Sequence, residues 1–263
     1  MITQIYEIQT PQEAAEVCRL GVDHVGTVLL APGAEDSPEI AAVVETVRAA
    51  GKKSSVIPLF SDPVKVCRSI SRLRPDIVHF CDAITDGAGT PLRPEPGLSL
   101  QKAVREAFSG ILIMRTIPIA PEGAKQGPDP VALCRIYAPL SDFFLTDTFL
   151  GNGGAEPGDP VPGFVGITGR TCDWGLAARL CAASPVPVIL AGGLGPDNVF
   201  EGIIRTAPAG VDSCTRTNAL GKDGHSVRFK KDMERVALFL SQARQGGVEL
   251  SRLRGSKLNT YNS

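Results

Sequence analysis

Three glycine-bearing segments carry the clearest chemistry in this chain: Gly166-Ile167-Thr168-Gly169-Arg170-Thr171, Ala191-Gly192-Gly193-Leu194-Gly195-Pro196 and Gly210-Val211-Asp212-Ser213-Cys214-Thr215. A phosphate group needs several converging N–H donors and no side chain in the way. Glycine lets the backbone approach, and the start of a helix adds positive potential. Gly169, Gly192, Gly193, Cys214 and Thr215 are therefore expected to line an anion site. One Gly-Gly pair alone would read as a tight turn; three such segments in this order favour a phosphate cradle. The candidates for proton transfer close short apolar runs. Asp147 ends one that begins at Phe143, and Tyr6 and Glu7 end the first run of the chain. Strict alternation lets only one of Tyr6 and Glu7 point inward. A carboxylate is the better base, because a phenol with a pKa of ~10 stays protonated at neutral pH. Arg115, a charge inside an apolar run, needs either a ligand anion or a neighbouring strand-end carboxylate. His79, Asp82, Asp212 and Arg216 are further candidates for contact with a ligand, Asp212 also as an organiser of the loops and Asp173 as a helix cap.

Eight short, β-branched runs alternate with eight helical patterns. The strands are expected at Thr3–Ile8, His24–Leu30, Ser54–Phe60, Ile77–Cys81, Ile111–Ile117, Phe143–Thr146, Val188–Ala191 and Gly210–Ser213. The helices are expected at Pro11–Leu20, Pro38–Ala50, Pro63–Leu73, Ser99–Phe108, Pro130–Ala138, Asp173–Ala183, Pro196–Thr206 and Ser226–Gln245. Thr10-Pro11, Ser37-Pro38, Asp62-Pro63 and Asp129-Pro130 each place a capping side chain before a proline at the first helical position. Continuously apolar strands alternating with helices imply a parallel sheet covered on both faces. Eight units imply closure into a (β/α)8 barrel, with phosphate-binding loops after strands seven and eight. An open doubly wound sheet would bring its glycine-rich loop early, after the first strand. The segments Asp82–Gly97 and Phe149–Gly163 are long, rich in Gly and Pro, and expected on the catalytic face as binding loops or lids. Residues 1–245 read as one barrel and 246–263 as a polar, frayed C-terminal tail.

Composition sets the outer limits. Among 263 residues, Lys plus Arg number 27 and Asp plus Glu 28, a balance that argues against a nucleic-acid footprint. No apolar run reaches the ~18 residues of a membrane span. The seven cysteines are odd in number and scattered, which reads as a reducing cytoplasm. With no C-x-x-C pair and three separated histidines, neither a metal nor a cofactor is expected.

The segments from Ile5 to Gln245 resemble, in order, phosphoribosylanthranilate isomerase, the eight-fold barrel of tryptophan biosynthesis. Leu190-Ala191-Gly192-Gly193-Leu194-Gly195-Pro196-Asp197-Asn198-Val199 is close to the family's seventh-strand signature. Thr171-Cys172-Asp173-Trp174 resembles the Phe-Asp-Trp that ends its glycine-rich stretch. Leu145-Thr146-Asp147 matches Leu-Leu-Asp at the end of strand six. The resemblance implies an aldose-amine to ketose-amine rearrangement with Asp147 as the acid. It also implies Tyr6 in place of the family's basic Cys, since Lys-Ile-Cys-Gly-Ile-Thr becomes Gln4-Ile5-Tyr6-Glu7-Ile8-Gln9. Two departures bear on the substrate. Ala34-Glu35-Asp36-Ser37-Pro38-Glu39 is acidic where the family has an Arg for the anthranilate carboxylate, and Cys214-Thr215-Arg216-Thr217-Asn218 replaces Ser-Ser-Gly-Val-Glu. The expectation is an isomerase-like enzyme acting by acid/base chemistry on a phosphorylated sugar or sugar amine other than the usual tryptophan-pathway substrate. The alternatives are the literal isomerase with a changed base, or a non-catalytic phosphate-ligand binder. Its partner is a small phosphorylated molecule rather than nucleic acid or membrane, and the protein is expected as a monomer or homodimer.

Overall fold

The computed structural model describes residues 1–151 and 169–260. Gly166, Ile167, Thr168 and the stretch 152–163 of the second long loop lie outside the described residues. The strands are β1 (Ile2–Ile5), β2 (His24–Leu29), β3 (Lys53–Pro58), β4 (Ile77–Phe80), β5 (Leu112–Ile119), β6 (Phe143–Thr148), β7 (Val188–Leu190) and β8 (Gly210–Ser213). They pair in parallel in sequence order and close through a β1–β8 seam, so the chain is a (β/α)8 barrel.

The helices that cover it are α1 (Pro11–Leu20), α2 (Pro38–Ala49), α3 (Pro63–Leu73), α4 (Glu95–Ala107), α5 (Pro130–Tyr137), α6 (Trp174–Ala183), α7 (Val199–Thr206) and α8 (Met233–Thr260). The cap-then-proline signals act as the sequence implies. Thr10, Ser37, Asp62 and Asp129 each accept a backbone N–H of the first turn, and Asp173 caps α6 in the same way. Side chains from most of the strands meet inside the barrel: Ile57, Ile77, Leu112, Met114, Phe143, Leu145 and Ile189, with Tyr6 and Ala191 just beyond their strand ends. Period two then sends Ile113, Arg115, Val78 and Phe80 outward, toward the helices.

Two segments differ from the sequence reading. Ser226–Lys231, expected to open the last helix, is a strand, β10, paired antiparallel with β9 (Asn218–Leu220) as a hairpin between β8 and α8. Val227 and Phe229 alternate with Arg228 and Lys230, a strand period overlooked beside the strong helical pattern that follows. The expected tail is the second half of α8. Leu250 is buried in the main core, and Gly246 sits where an added Cβ would be 2.9 Å from Ile203 on α7. The Asp82–Gly97 loop is organised rather than loose. Thr85 bridges Pro91, and Asp86 accepts the Ala88 and Thr90 amides.

Candidate functional site

At the C-terminal ends of β6, β7 and β8 one cavity is lined by Asp147, Gly169, Ala191, Gly192, Gly193, Leu194, Asp212, Cys214, Thr215 and Arg216. Residues expected to serve three roles (anion cradle, proton transfer and ligand contact) thus share one concave surface. Gly192 and Gly193 are left-handed (φ 91° and 61°), and a Cβ on Gly193 would lie 2.5 Å from the Arg170 carbonyl carbon. Glycine is required there by conformation and by space alike. The Gly193 carbonyl accepts from Asn198 Nδ2 (3.0 Å) and Arg216 Nη1 (3.0 Å). Because the peptide is planar and trans, this turns the Leu194 N–H away from those donors. The Cys214 carbonyl is held in the same manner by Lys231 Nζ (2.8 Å) and Thr217 Oγ1 (3.0 Å), orienting the Thr215 N–H.

Asp147 faces inward with Phe143 and Leu145. Burial raises its carboxyl to about 6, against the pull of a hydrogen bond from its neighbour's amide (Thr148 N to Oδ1, 2.7 Å). Asp212 is pushed further, to about 8, by burial and the nearby Asp147 charge.

Tyr6 is inside the barrel but is not a cavity wall. Its hydroxyl is hydrogen-bonded to Ser55 Oγ (2.7 Å) and His79 Nδ1 (2.8 Å), and His79 Nε2 reaches Thr116 Oγ1 (2.7 Å). Burial moves the phenol well above its ordinary range, the direction opposite to that needed by a base. Burial, with the Arg115 charge, also holds His79 neutral, with its pKa lowered to about 3. The Tyr6 ring occupies space left open by Gly26, where a Cβ would lie 1.9 Å from the ring. Gly26→Ala is therefore expected to cost about 1–3 kcal/mol. In a Tyr6→Ala background that added cost should largely vanish. Urea denaturation of the four-member cycle measures it.

Glu7 takes the left-handed conformation (φ 66°) and turns its carboxylate toward the hairpin. Arg228 donates to Oε1 through both Nε (2.8 Å) and Nη2, and Asn218 Nδ2 donates to Oε2 (3.0 Å). Burial alone would raise its pKa, but Arg228, Asn218 and Lys231 together bring it below the usual range. Arg228, Lys231 and Asn218 were not singled out from the sequence. The alternation of Val227 and Phe229 with basic residues is the signal that could have exposed them.

Arg115 is fully buried on the outer face of β5, not on the ligand side. Its Nη1 donates to Asp82 (2.6 Å) and its Nε to Gln101 on α4 (2.9 Å), and its guanidinium lies over Tyr137 and Phe80. Its parity with Ile113 holds, but that parity faces the helices. Arg115 and Asp82 thus pair at the barrel–helix interface, with Arg115 Nη2 buried there without a hydrogen-bond partner among the described residues. Arg115→Met should destabilise by about 2 kcal/mol in urea, less than the ~3–5 of a broken, wholly buried pair because Asp82 keeps some solvent. Ligand affinity of the folded protein should be unchanged. The acidic stretch after β2 also looks elsewhere. Glu35 accepts the Gly33 amide and pairs with Arg68, and Asp36 pairs with Arg68 and Arg72 on α3. Those cations neutralise the charge expected to repel an anthranilate carboxylate.

All seven cysteines, each among the described residues, are free thiols. Among the described residues no helix is long and apolar enough to cross a membrane, and no cluster of metal-ligating side chains occurs.

A closed eight-stranded parallel barrel with two left-handed glycines and two aspartates around a cavity at the C-terminal ends of its strands places the chain in the (β/α)8-barrel class. No family model matches the chain. Among curated proteins, N-(5'-phosphoribosyl)anthranilate isomerase from Methanosarcina acetivorans is 28% identical over 239 residues, covering 89% of this chain and 92% of its own. Among solved structures, phosphoribosyl anthranilate isomerase from Thermus thermophilus superposes with a TM-score of 0.63 at 18% identity, over 93% of this chain and 99% of its own. A phosphoribosyl anthranilate isomerase in complex with reduced 1-(o-carboxyphenylamino)-1-deoxyribulose 5-phosphate superposes with a TM-score of 0.60 at 18% identity, over 93% of this chain and all of its own. The chain is thus a (β/α)8 barrel whose curated relatives and structural neighbours are phosphoribosylanthranilate isomerases.

Proposed function

We propose that the protein isomerises a phosphorylated aldose amine to the ketose amine, with N-(5'-phosphoribosyl)anthranilate as the first substrate to test. The observation that carries this reading is the single cavity into which Asp147 projects beside Gly169, Gly193 and Thr215. One end offers backbone donors to a phosphate, and the other offers a partly buried carboxyl for proton transfer to the sugar. The sequence expectation of a different substrate rested on the acidic stretch after β2, where the family has an Arg, and on the changed strand-eight loop. The pairing of Glu35 and Asp36 with Arg68 and Arg72 removes the repulsive charge from that argument, and the relatives give no support for another substrate. No cofactor or metal enters this chemistry, and a soluble biosynthetic role in the cytoplasm fits it.

Growth rescue of a tryptophan auxotroph lacking the isomerase, together with turnover of phosphoribosylanthranilate by the purified protein, tests the reading. Both should succeed. The buried Tyr6 phenol favours one other reading, a phosphate-ligand binder without turnover. Protection against thermal unfolding by ribose 5-phosphate with no turnover of phosphoribosylanthranilate would replace the enzyme by that binder.

A further inference from the structure

We infer that Asp212, held by Gln4, is the second acid/base group of the reaction and works with Asp147 as one proton-sharing pair across the cavity. This rests on the isomerase reading above. The place where the family keeps its base is filled by a phenol that points into the Ser55–His79 network, so another group must complete the chemistry. Asp147 on β6 and Asp212 on β8 both line the cavity, flanking β7 from either side.

Asp212 is not a loose wall residue. Gln4 lies between Asp212 and His24 in the strand register, donates from Nε2 to Asp212 Oδ1 (3.1 Å), and meets His24 Nδ1 with its own oxygen (3.1 Å). All three are buried. His24 is kept neutral, with its pKa lowered to about 4, chiefly by burial. Its Nδ1 must then carry the proton offered to Gln4 Oε1, and Gln4 can present only its amide N–H to Asp212. One carboxyl oxygen is thereby fixed, leaving the other for exchange.

The charged and titratable neighbours of Asp212 are Asp147, Lys231 on β10, the Tyr6 phenol and the Cys214 thiol. Lys231 is engaged by the Cys214 carbonyl and Asn218. Burial and Asp147 outweigh it, so the pair carries one proton through the neutral range.

The step balances. The protonated member gives its proton to the ring oxygen as the C1–O bond breaks and the amine lone pair forms C1=N. The ionised member takes the C2 proton, and the C2–H electrons form C1=C2 as C1=N returns its pair to nitrogen. The enol amine then becomes the ketose amine by moving its hydroxyl proton to C1. One proton leaves the pair and one returns, now on the other carboxyl.

The test compares kcat and its pH profile for wild type, Asp212→Asn and Gln4→Met. Asp212→Asn is expected to lower kcat at least ~100-fold with KM little changed. Gln4→Met removes a donor that favours the ionised form of Asp212. Its alkaline limb, near pH 8 in wild type, should therefore move to higher pH. Wild-type turnover with kcat of Asp212→Asn within threefold, or an alkaline limb unmoved in Gln4→Met, overturns the pairing alone. Should Asp212→Asn not fold, the limb of Gln4→Met decides. A wild type without turnover removes the pairing and the reaction together.

Discussion

Asp147→Asn should abolish turnover while making the folded protein harder to melt at pH 8. The loss follows from placing the one inward carboxyl of β6 in the cavity. Removing a positioned proton-transfer group typically costs ~10²–10⁴-fold in rate, and kcat should show it with KM near its original value. The gain follows from linkage. Burial raises the Asp147 pKa to about 6, above the value of the unfolded chain. Its protonated form is therefore the one favoured by folding. That contribution is complete below the unfolded pKa and disappears as pH rises through about 6. At pH 8 the wild type keeps a partly buried charge that asparagine does not need. A rise of a few degrees in melting temperature at pH 8, shrinking toward zero near pH 4, is the expected pattern. A residue that merely capped a turn would lower stability at both pH values and leave kcat in place.

Gly193→Ala should raise KM for the phosphorylated substrate by ~10-fold or more and weaken protection by inorganic phosphate to the same degree. The added methyl would meet the Arg170 carbonyl carbon at 2.5 Å and the Thr171 amide nitrogen at 2.7 Å, both main-chain atoms without a flexible end to yield. The φ of 61° adds a steric cost of roughly 1 kcal/mol for any residue with a Cβ. The peptide must turn or the Arg170 segment must move, and either displaces the amides that face the ligand. A lost charge-assisted hydrogen bond is worth ~1.5–3 kcal/mol, hence the factor of ten or more. Isothermal titration with phosphate and steady-state kinetics measure the two sides. Equal phosphate affinity in the variant and the wild type would move the anion site elsewhere on the rim.

The barrel was readable because most strands are largely apolar and several helix starts carry their own capping chemistry, as at Thr10-Pro11 and Asp129-Pro130. The cradle was readable because glycine is the residue that close main-chain approach demands. Other features lay beyond a local reading. Period two gives the parity of Arg115 with Ile113 but not which face of the sheet that parity takes. That depends on Met114 and Thr116 being the inward pair, a property of the closed barrel. Glu7, in the left-handed region, turns its carboxylate to Arg228 and Asn218, more than two hundred positions away in sequence. The acidity of Glu35 and Asp36 was plain, whereas Arg68 and Arg72, which answer it, sit one helix later. The residue order pointed to Asp212 but not to its hold by Gln4, because a strand-end aspartate looks the same whether an amide or a cation stands beside it.

The ion pair between Glu7 and Arg228 fastens the first strand to the last hairpin, across the same seam where β1 meets β8. Such a staple cannot form until the intervening units have been gathered, so it belongs to the native ring and not to its assembly. Closing so long a loop carries a large chain-entropy term. If the contact is absent from the folding transition state, Glu7→Gln should speed unfolding with little effect on the refolding rate, which stopped-flow kinetics in urea measure. The left-handed Glu7 backbone thus acts as a latch on the closed ring, one residue from the Tyr6 phenol inside the barrel.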